Sequence, residues 1–386
     1  MTSPLSEEGV QAETLALARQ LIARPSLTPD DAGCLDVVAS RLTACGFEIE
    51  RIDRGGVRNL WARLGNSSPL VCFAGHVDVV PTGPLEQWTA PPFEGTERDG
   101  FLIGRGASDM KASVAAMVTA SERIADSAGS LAGSLAVLLT SDEEGDALHG
   151  TRAVVESLQA RGISIDHCIV GEPTSSAAFG DTIKNGRRGS LSGRLRVTGV
   201  QGHVAYPERA VNPVHRAAPA LAELCATAWD HGDAHFGPTT FQISNIHAGT
   251  GAPNVVPGDL VVQFNLRFSP VSSVEDLQTR ITDVLTAHGL QFELEWTVSA
   301  MPFVTAGDAL TAALRDAILA STGVVAEVST SGGTSDGRFL KAIAREIAEF
   351  GPLNDTIHKV DERVAVADLG PLSTIYERTA RTLLTR

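Results

Sequence analysis

Three short apolar runs constrain this chain more than any other feature: residues 70–73 (LVCF), 135–140 (LAVLLT) and 168–170 (CIV). Each is short and apolar enough to be a strand buried on both faces of a parallel sheet. Each then runs into charge. The first passes through Gly75 into His76 and Asp78, the second into Glu143 and Glu144, the third into Glu172. In open α/β sheets the carboxyl ends of the strands are where ligands bind. Residues two apart in an extended segment share a face, so His76 and Asp78 emerge side by side. An imidazole with a carboxylate for its second nitrogen is the arrangement of a metal-ligating histidine. Adjacent side chains diverge, so one of Glu143 and Glu144 can hold a metal while the other faces substrate or water.

Between these runs the pattern is helical. Ser6 starts a helix over residues 7–23, Asp30 and Asp31 open another that ends at Gly46, and an Ala-rich helix covers residues 112–124. Further helices are expected at 150–159, 308–321 and 366–384, and further strands at 47–52, 59–64, 326–329 and 346–350. Strands alternating with helices predict an α/β domain with a mostly parallel mixed sheet covered on both faces. The glycine-bearing loop 104–111 (GRGASDMK) brings Asp109 to the start of the Ala-rich helix, where a carboxylate can be aimed at a ligand.

The character changes after Arg188. Alternating strands at 190–200, 240–248, 259–268 and 291–298 enclose helices at 213–228 and 272–288, the second opened by a capping box Ser272-x-x-Glu275. This β-α-β-β-α-β order is the split βαβ, or ferredoxin-like, sandwich. At 386 residues the chain is too long for one compact core. The expected division is a discontinuous domain of residues 1–188 and 301–386, with 189–300 inserted.

A net charge of −15 argues against nucleic acid and against an anionic membrane surface as partners. The five cysteines form no C-x-x-C pair, as expected of reduced thiols in the cytoplasm. The acidic, amphipathic first residues predict no signal peptide, and no apolar run has the length of a membrane span.

Oxygen and nitrogen ligands without thiolate suit Zn2+, with Co2+ or Mn2+ as substitutes. Two such ions sharing a carboxylate activate a water and polarise a carbonyl, and a free Glu beside them serves as general base. His76 and His358 are the histidine candidates; periodicity leaves open which acid is shared.

The motifs AGHVDVVP, GRGASDMK, TSDEEG, GEPT, QGHVAYP and TIHKVDE, in this order, resemble the co-catalytic metallopeptidases of the M20 type over essentially the whole chain. The resemblance implies two Zn2+ per subunit: His76 and Glu172 on one, His358 and Glu144 on the other, and Asp109 bridging. It implies that Asp78 orients His76 and that Glu143 is the general base. It also implies a homodimer made by the inserted domain, with His203 crossing from the partner subunit to stabilise the oxyanion. KNGRRGSL, GGTSDGRF and GPLNDTIHKVDE further resemble the branch that removes succinate from a small-molecule N-succinyl amino acid, N-succinyl-LL-diaminopimelate, on the route to lysine. That substrate carries three carboxylates, which arginine forks suit. The candidates are Arg187, Arg188, Arg267 and Arg338, with Ser190, Tyr206, Asn254, Gly333, Thr334 and Asn354 as neutral partners. One departure stands out: Pro253 precedes Asn254 where that branch often has a second amide. The alternatives are a relative acting on acetylornithine, another acylated amino acid or a dipeptide, and a non-catalytic metal-binding scaffold.

Overall fold

The computed structural model describes residues 5–126, 132–305 and 307–385. The chain divides into two compact units, one of Met1–Gly186, Thr305–Ser329 and Ser335–Arg386, the other of Arg187–Val304 and Thr330–Thr334.

The larger unit is built on an eight-stranded mixed sheet. From edge to edge its strands are Glu48–Arg51, Asn59–Leu64, Ser134–Thr140, Leu70–His76, Ile165–Val170, Ala344–Glu349, Thr182–Lys184 and Glu327–Ser329. The middle four run parallel. Asn59–Leu64 joins them antiparallel, as does Thr182–Lys184 on the other side. The apolar runs are therefore neighbours, with Leu70–His76 between the other two. All seven residues of Leu70–His76 and of Ser134–Thr140 are buried, as parallel strands covered on both faces must be.

Alternate residues of these strands (Val71, Phe73, Val137, Leu139, Ile169) share a core with Leu17, Leu21, Val114, Met117, Leu372 and Tyr376. Those partners come from helices Glu7–Ile22, Ala112–Ala125 and Val366–Leu384. Helix Thr151–Ala160 packs against strands Asn59–Leu64 and Ser134–Thr140 as well. Ser6 caps the first helix by accepting the Gly9 N–H at 3.2 Å. The second helix, Cys34–Ala44, starts later than its acidic pair suggested: Asp31 Oδ2 accepts the Leu35 N–H from outside, and Gly33 at the N-cap has φ +82°.

The smaller unit is a four-stranded antiparallel sheet in the order Thr240–Ala248, Asp259–Phe268, Gly189–Thr198, Phe292–Ala300. The first and second of these strands in the sequence flank the third, which is the split βαβ arrangement. Helices Pro213–Ala226 and Val274–Ala287 cover one face, where Leu191, Leu195, Phe264 and Leu266 meet Ala217, Leu224, Leu277 and Ile281. The cap of the second helix is Ser273, not Ser272: Ser273 Oγ accepts the Asp276 N–H at 3.0 Å, while the Ser272 hydroxyl donates to Asp230 Oδ2 at 2.7 Å. Asp230 gathers Thr239 and Gly232 N–H groups as well, and these bonds overcome burial to bring its pKa down to about 2.

A glycine is required in the middle of this sheet. Gly193 pairs across the strands with Phe264, and a Cβ there would lie 2.1 Å from the ring. Phe264 in turn lies tilted against Phe241, with ring centroids 5.0 Å apart, and meets Trp296 edge-on. Gly193→Ala should therefore destabilise the smaller unit by about 1–3 kcal/mol, the cost of overpacking a filled core; urea unfolding is the measurement.

Candidate metal centre

The parallel strands deliver their acidic ends to one place. His76 closes its strand opposite Thr140, so Glu143 and Glu144 follow on one side, while Glu172 follows the strand on the other. Two further loops complete the group. Gly106 turns the chain at φ +79°, where a Cβ would strike Val79 at 2.5 Å, and Asp109 follows three residues later. His358, at φ +60°, comes from the loop after strand Ala344–Glu349.

Asp109 lies between the two histidines. Its Oδ1 is 3.2 Å from His76 Nε2 and its Oδ2 3.4 Å from His358 Nε2. Glu172 Oε1 is 4.0 Å from His76 Nε2, and Glu144 Oε1 is 2.9 Å from His358 Nε2. Potential ligand atoms of His76, Asp109 and Glu172 lie within 4.8 Å of one another, as do those of Asp109, Glu144 and His358. Asp109 belongs to both groups.

The chemistry of the donors fits divalent ions. His76 Nδ1 is 2.9 Å from the main-chain oxygen of Asp78, which can only accept, so Nδ1 carries a proton; Nε2 faces the Asp109 carboxylate and is the nitrogen that would give up its proton to ligate an ion. Glu172 Oε1 is buried without a hydrogen-bond partner. Burial opposes a charge on His76, yet the Asp109 bond and the charges of Asp78, Asp109 and Glu143 hold its pKa well above the ordinary histidine value. Bonds to Asp109 and Glu144 carry His358 up to about 10. Burial, then the charges of Asp109 and Glu143, drive Glu172 well above the carboxylate range. Protons thus separate like charges where two divalent ions, one in each group, would do so instead.

Glu143 stands apart from both groups. Burial first, and then the charges of Asp336, Glu144 and Asp109, push its carboxyl up to about 8. Asp336, itself buried, is pushed by that burial up to about 6. Nothing in GGTSDGRF marks Asp336 for this place, because an acid following a polar turn carries no sign of burial.

Asp78 acts through two different atoms. Its carbonyl orients His76, while its carboxylate, 3.6 Å from His76 Nδ1, accepts the N–H groups of Glu144 at 3.1 Å and Glu143 at 3.4 Å. Glu362 and Arg105 were likewise not singled out. The Glu362 carboxylate accepts the N–H groups of Gly106, Ser108 and Asp109 and pairs with Arg105 at 2.7 Å.

The residues expected at a substrate divide between the units. Arg338 and Asn354 belong to the larger unit; the Asn354 N–H donates to the Ser175 carbonyl, and the Arg338 guanidinium lies over the Phe339 ring at 4.6 Å. Arg187, Arg188, Ser190, His203, Tyr206, Asn254, Arg267, Gly333 and Thr334 belong to the smaller one. There Ser190 pairs across the strands with Arg267, and Arg187 Nη1 donates to the Gly333 carbonyl at 3.0 Å. His203, Tyr206 and Asn254 form one cluster: the Asn254 carbonyl accepts the Val204 N–H, and the rings of His203 and Tyr206 are 5.8 Å apart. His203 Nδ1 accepts the Ala205 N–H at 3.1 Å, which leaves the ring proton on Nε2.

Two candidate ligand groups joined by one carboxylate, on a sheet of this kind, point to a class. Residues 72–382 match the model of peptidase family M20/M25/M40, and the chain belongs to that family. Among its relatives, succinyl-diaminopimelate desuccinylase of Aromatoleum aromaticum is 60% identical over 371 residues, covering 96% of this chain and 97% of the relative. The enzyme of the same name from Thiobacillus denitrificans is 58% identical over 385 residues, covering 100% and 98%. The fold is similar to that of the M20 family metallo-carboxypeptidase Sso-CP2 from Sulfolobus solfataricus, with TM-score 0.81, 16% identity, and coverage of 97% and 99%. It is also similar to the YXEP protein of Bacillus subtilis, described as a dinuclear metal binding peptidase from the M20 family, with TM-score 0.73, 16% identity, and coverage of 98% and 99%.

The two roles of Asp78 separate in a variant. Asp78→Ala keeps the carbonyl that orients His76 but releases the main chain of Glu143 and Glu144. Affinity for the ion of the Glu144 group should fall about 10–100-fold while the His76 group changes little; competition with a chromophoric chelator measures both. Equal losses would mean that the carboxylate fixes His76.

Proposed function

We propose that this chain hydrolyses the amide bond of N-succinyl-LL-2,6-diaminopimelate to succinate and LL-2,6-diaminopimelate, as a cytoplasmic homodimer with two Zn2+ per subunit. The observation that carries the reading is the Asp109 carboxylate, directed with one oxygen at His76 and the other at His358, in a chain 60% identical to a succinyl-diaminopimelate desuccinylase. His76 and Glu172 would hold one ion, His358 and Glu144 the other, with Asp109 shared. When bound, the ions supply Lewis acidity, lowering the pKa of a water and polarising the scissile carbonyl.

Glu143 takes a proton from the attacking water as the new C–O bond forms. It then delivers that proton to the amide nitrogen as the C–N bond breaks, releasing succinate and the free amine. Burial and the charges of Asp336, Glu144 and Asp109 raise its basicity while the ligand groups hold no ion; positive charge in both groups would lower it and leave the carboxylate free to accept the water's proton. His203 of the partner subunit donates through Nε2–H to the developing oxyanion. Arg187, Arg188, Arg267 and Arg338 provide guanidinium groups for the substrate carboxylates, with Ser190, Tyr206, Asn254, Gly333, Thr334 and Asn354 alongside. Dimerisation through the smaller unit is supported by its edge strand Thr240–Ala248, most of which is exposed and which leaves one row of backbone groups for a second copy. Among the described residues no helix is long and apolar enough to cross a membrane.

Protein stripped of metal and refilled with zinc should turn over N-succinyl-LL-diaminopimelate rapidly and N-acetylornithine slowly or not at all. The reverse preference would keep the chemistry and overturn the substrate, with Pro253 the first residue to replace. Glu143→Gln should still bind two ions and lose turnover by about 10²–10⁴-fold, the range of general-base catalysis. Retained turnover would remove Glu143 from the role.

A further inference from the structure

Glu362 and Arg105 are among the most deeply buried charges of the larger unit, with side chains 1% and 2% exposed. Neither is in a ligand group. Glu362 Oε1 accepts the Ser108 N–H at 3.0 Å and the Asp109 N–H at 2.9 Å. Its Oε2 accepts the Gly106 N–H at 2.9 Å and Arg105 Nη1 at 2.7 Å. Converging main-chain N–H groups of this kind make an anion-binding concavity. Here the chain fills it with its own carboxylate, and four donors occupy both oxygens.

Arg105 extends the same junction to the other ligand-bearing loops. Its Nη1 also donates to the Lys359 carbonyl at 3.1 Å, one residue beyond His358. Its Nη2 donates to the Pro81 carbonyl at 3.1 Å, on the loop that leaves His76 and Asp78. The Gly104 N–H donates to the Glu362 carbonyl at 2.9 Å, and Ser108 Oγ to the Leu353 carbonyl at 2.6 Å. The segments that carry His76, Asp109 and His358 are therefore tied at one buried ion pair.

We propose that Glu362 and Arg105 are positioning residues for the paired-metal site, setting the place of the Asp109 carboxylate relative to both histidines. The inference rests on the reading that Asp109 is shared between two ions. A carboxylate that bridges must satisfy two distances at once, and its own side chain has two rotatable bonds. The main chain beneath it must therefore be held, and Glu362 holds the Asp109 N–H itself. Loss of the acceptor lets Asp109 drift from one ion or the other, and the weaker ion leaves first.

The test is stepwise zinc binding by Glu362→Gln, read by isothermal titration and chelator competition with no substrate present. Two of the four donors lose their acceptor in this variant, and its shape is retained. Binding of at least one ion should weaken about 10–100-fold, the usual effect of altering a group behind a metal ligand. Glu377→Gln is the control: it cuts the Arg123–Glu377 pair elsewhere in the same unit. It should lower the melting temperature and leave both zinc constants unchanged. Wild-type zinc constants in Glu362→Gln would overturn the inference. If Glu362→Gln does not fold, Arg105→Lys decides instead, because it keeps the charge and loses the fork to Lys359 and Pro81; unchanged constants there also overturn it. Wild-type protein that binds fewer than two ions would overturn the shared-carboxylate reading beneath it, a distinct result read in the same titration.

Discussion

Like charge held out of water is the constraint on which the rest of this structure depends. Asp109, Glu143, Glu144 and Glu172 are brought together where three parallel strands end, and burial makes their mutual repulsion expensive. Protonated histidines and carboxyls relieve it in one way; divalent cations relieve it in another. The histidines sit where each can do either. Asp109, with a histidine on each oxygen, is held well below the ordinary carboxylate range although burial works against its charge.

That concentration of charge demands rigid supports, and the supports are themselves carboxylates. Asp78 holds the main chain of Glu143 and Glu144; Glu362 holds that of Asp109; Asp142 accepts the N–H groups of Ala147, Leu148 and His149 behind the same loop. Each spends its negative charge on backbone donors, which keeps loop amides satisfied where there is no sheet to pair them. The acidic excess of the sequence thus has two structural uses around one site, ligation and loop anchoring. Arg105 and the buried Lys111, which donates to the Leu21 and Arg24 carbonyls, serve the anchoring from the opposite sign.

Some of this was legible in the sequence because the signals are local. A run such as LAVLLT followed by SDEEG states both burial and its abrupt end, and the final helix, Val366–Leu384, is marked by its apolar period. The α/β class, the split βαβ order and the acid-bearing strand ends follow from such patterns. The motif set then assigned roles to His76, Asp109 and the rest by resemblance. Roles that depend on which atom of a residue is used were not legible. Asp78 reads as a carboxylate beside a histidine, yet its carbonyl makes the bond to His76. Ser272 and Ser273 are equally good caps in sequence; the need to satisfy Asp230 takes Ser272 away.

The sequence by itself determined most of the buried strands and amphipathic helices, and that acids follow the strands, because periodicity and composition act over a few neighbouring residues; the three-residue strand Thr182–Lys184 is too short to show a period. Only the tertiary structure decided that the three runs lie side by side, that Asp109 falls between two histidines, and that Glu362 closes on a loop more than 250 positions earlier in the chain. Those outcomes depend on strand order, on register, and on which buried donor finds which acceptor. They are set by the whole chain packing at once, and no short stretch of residues carries that information.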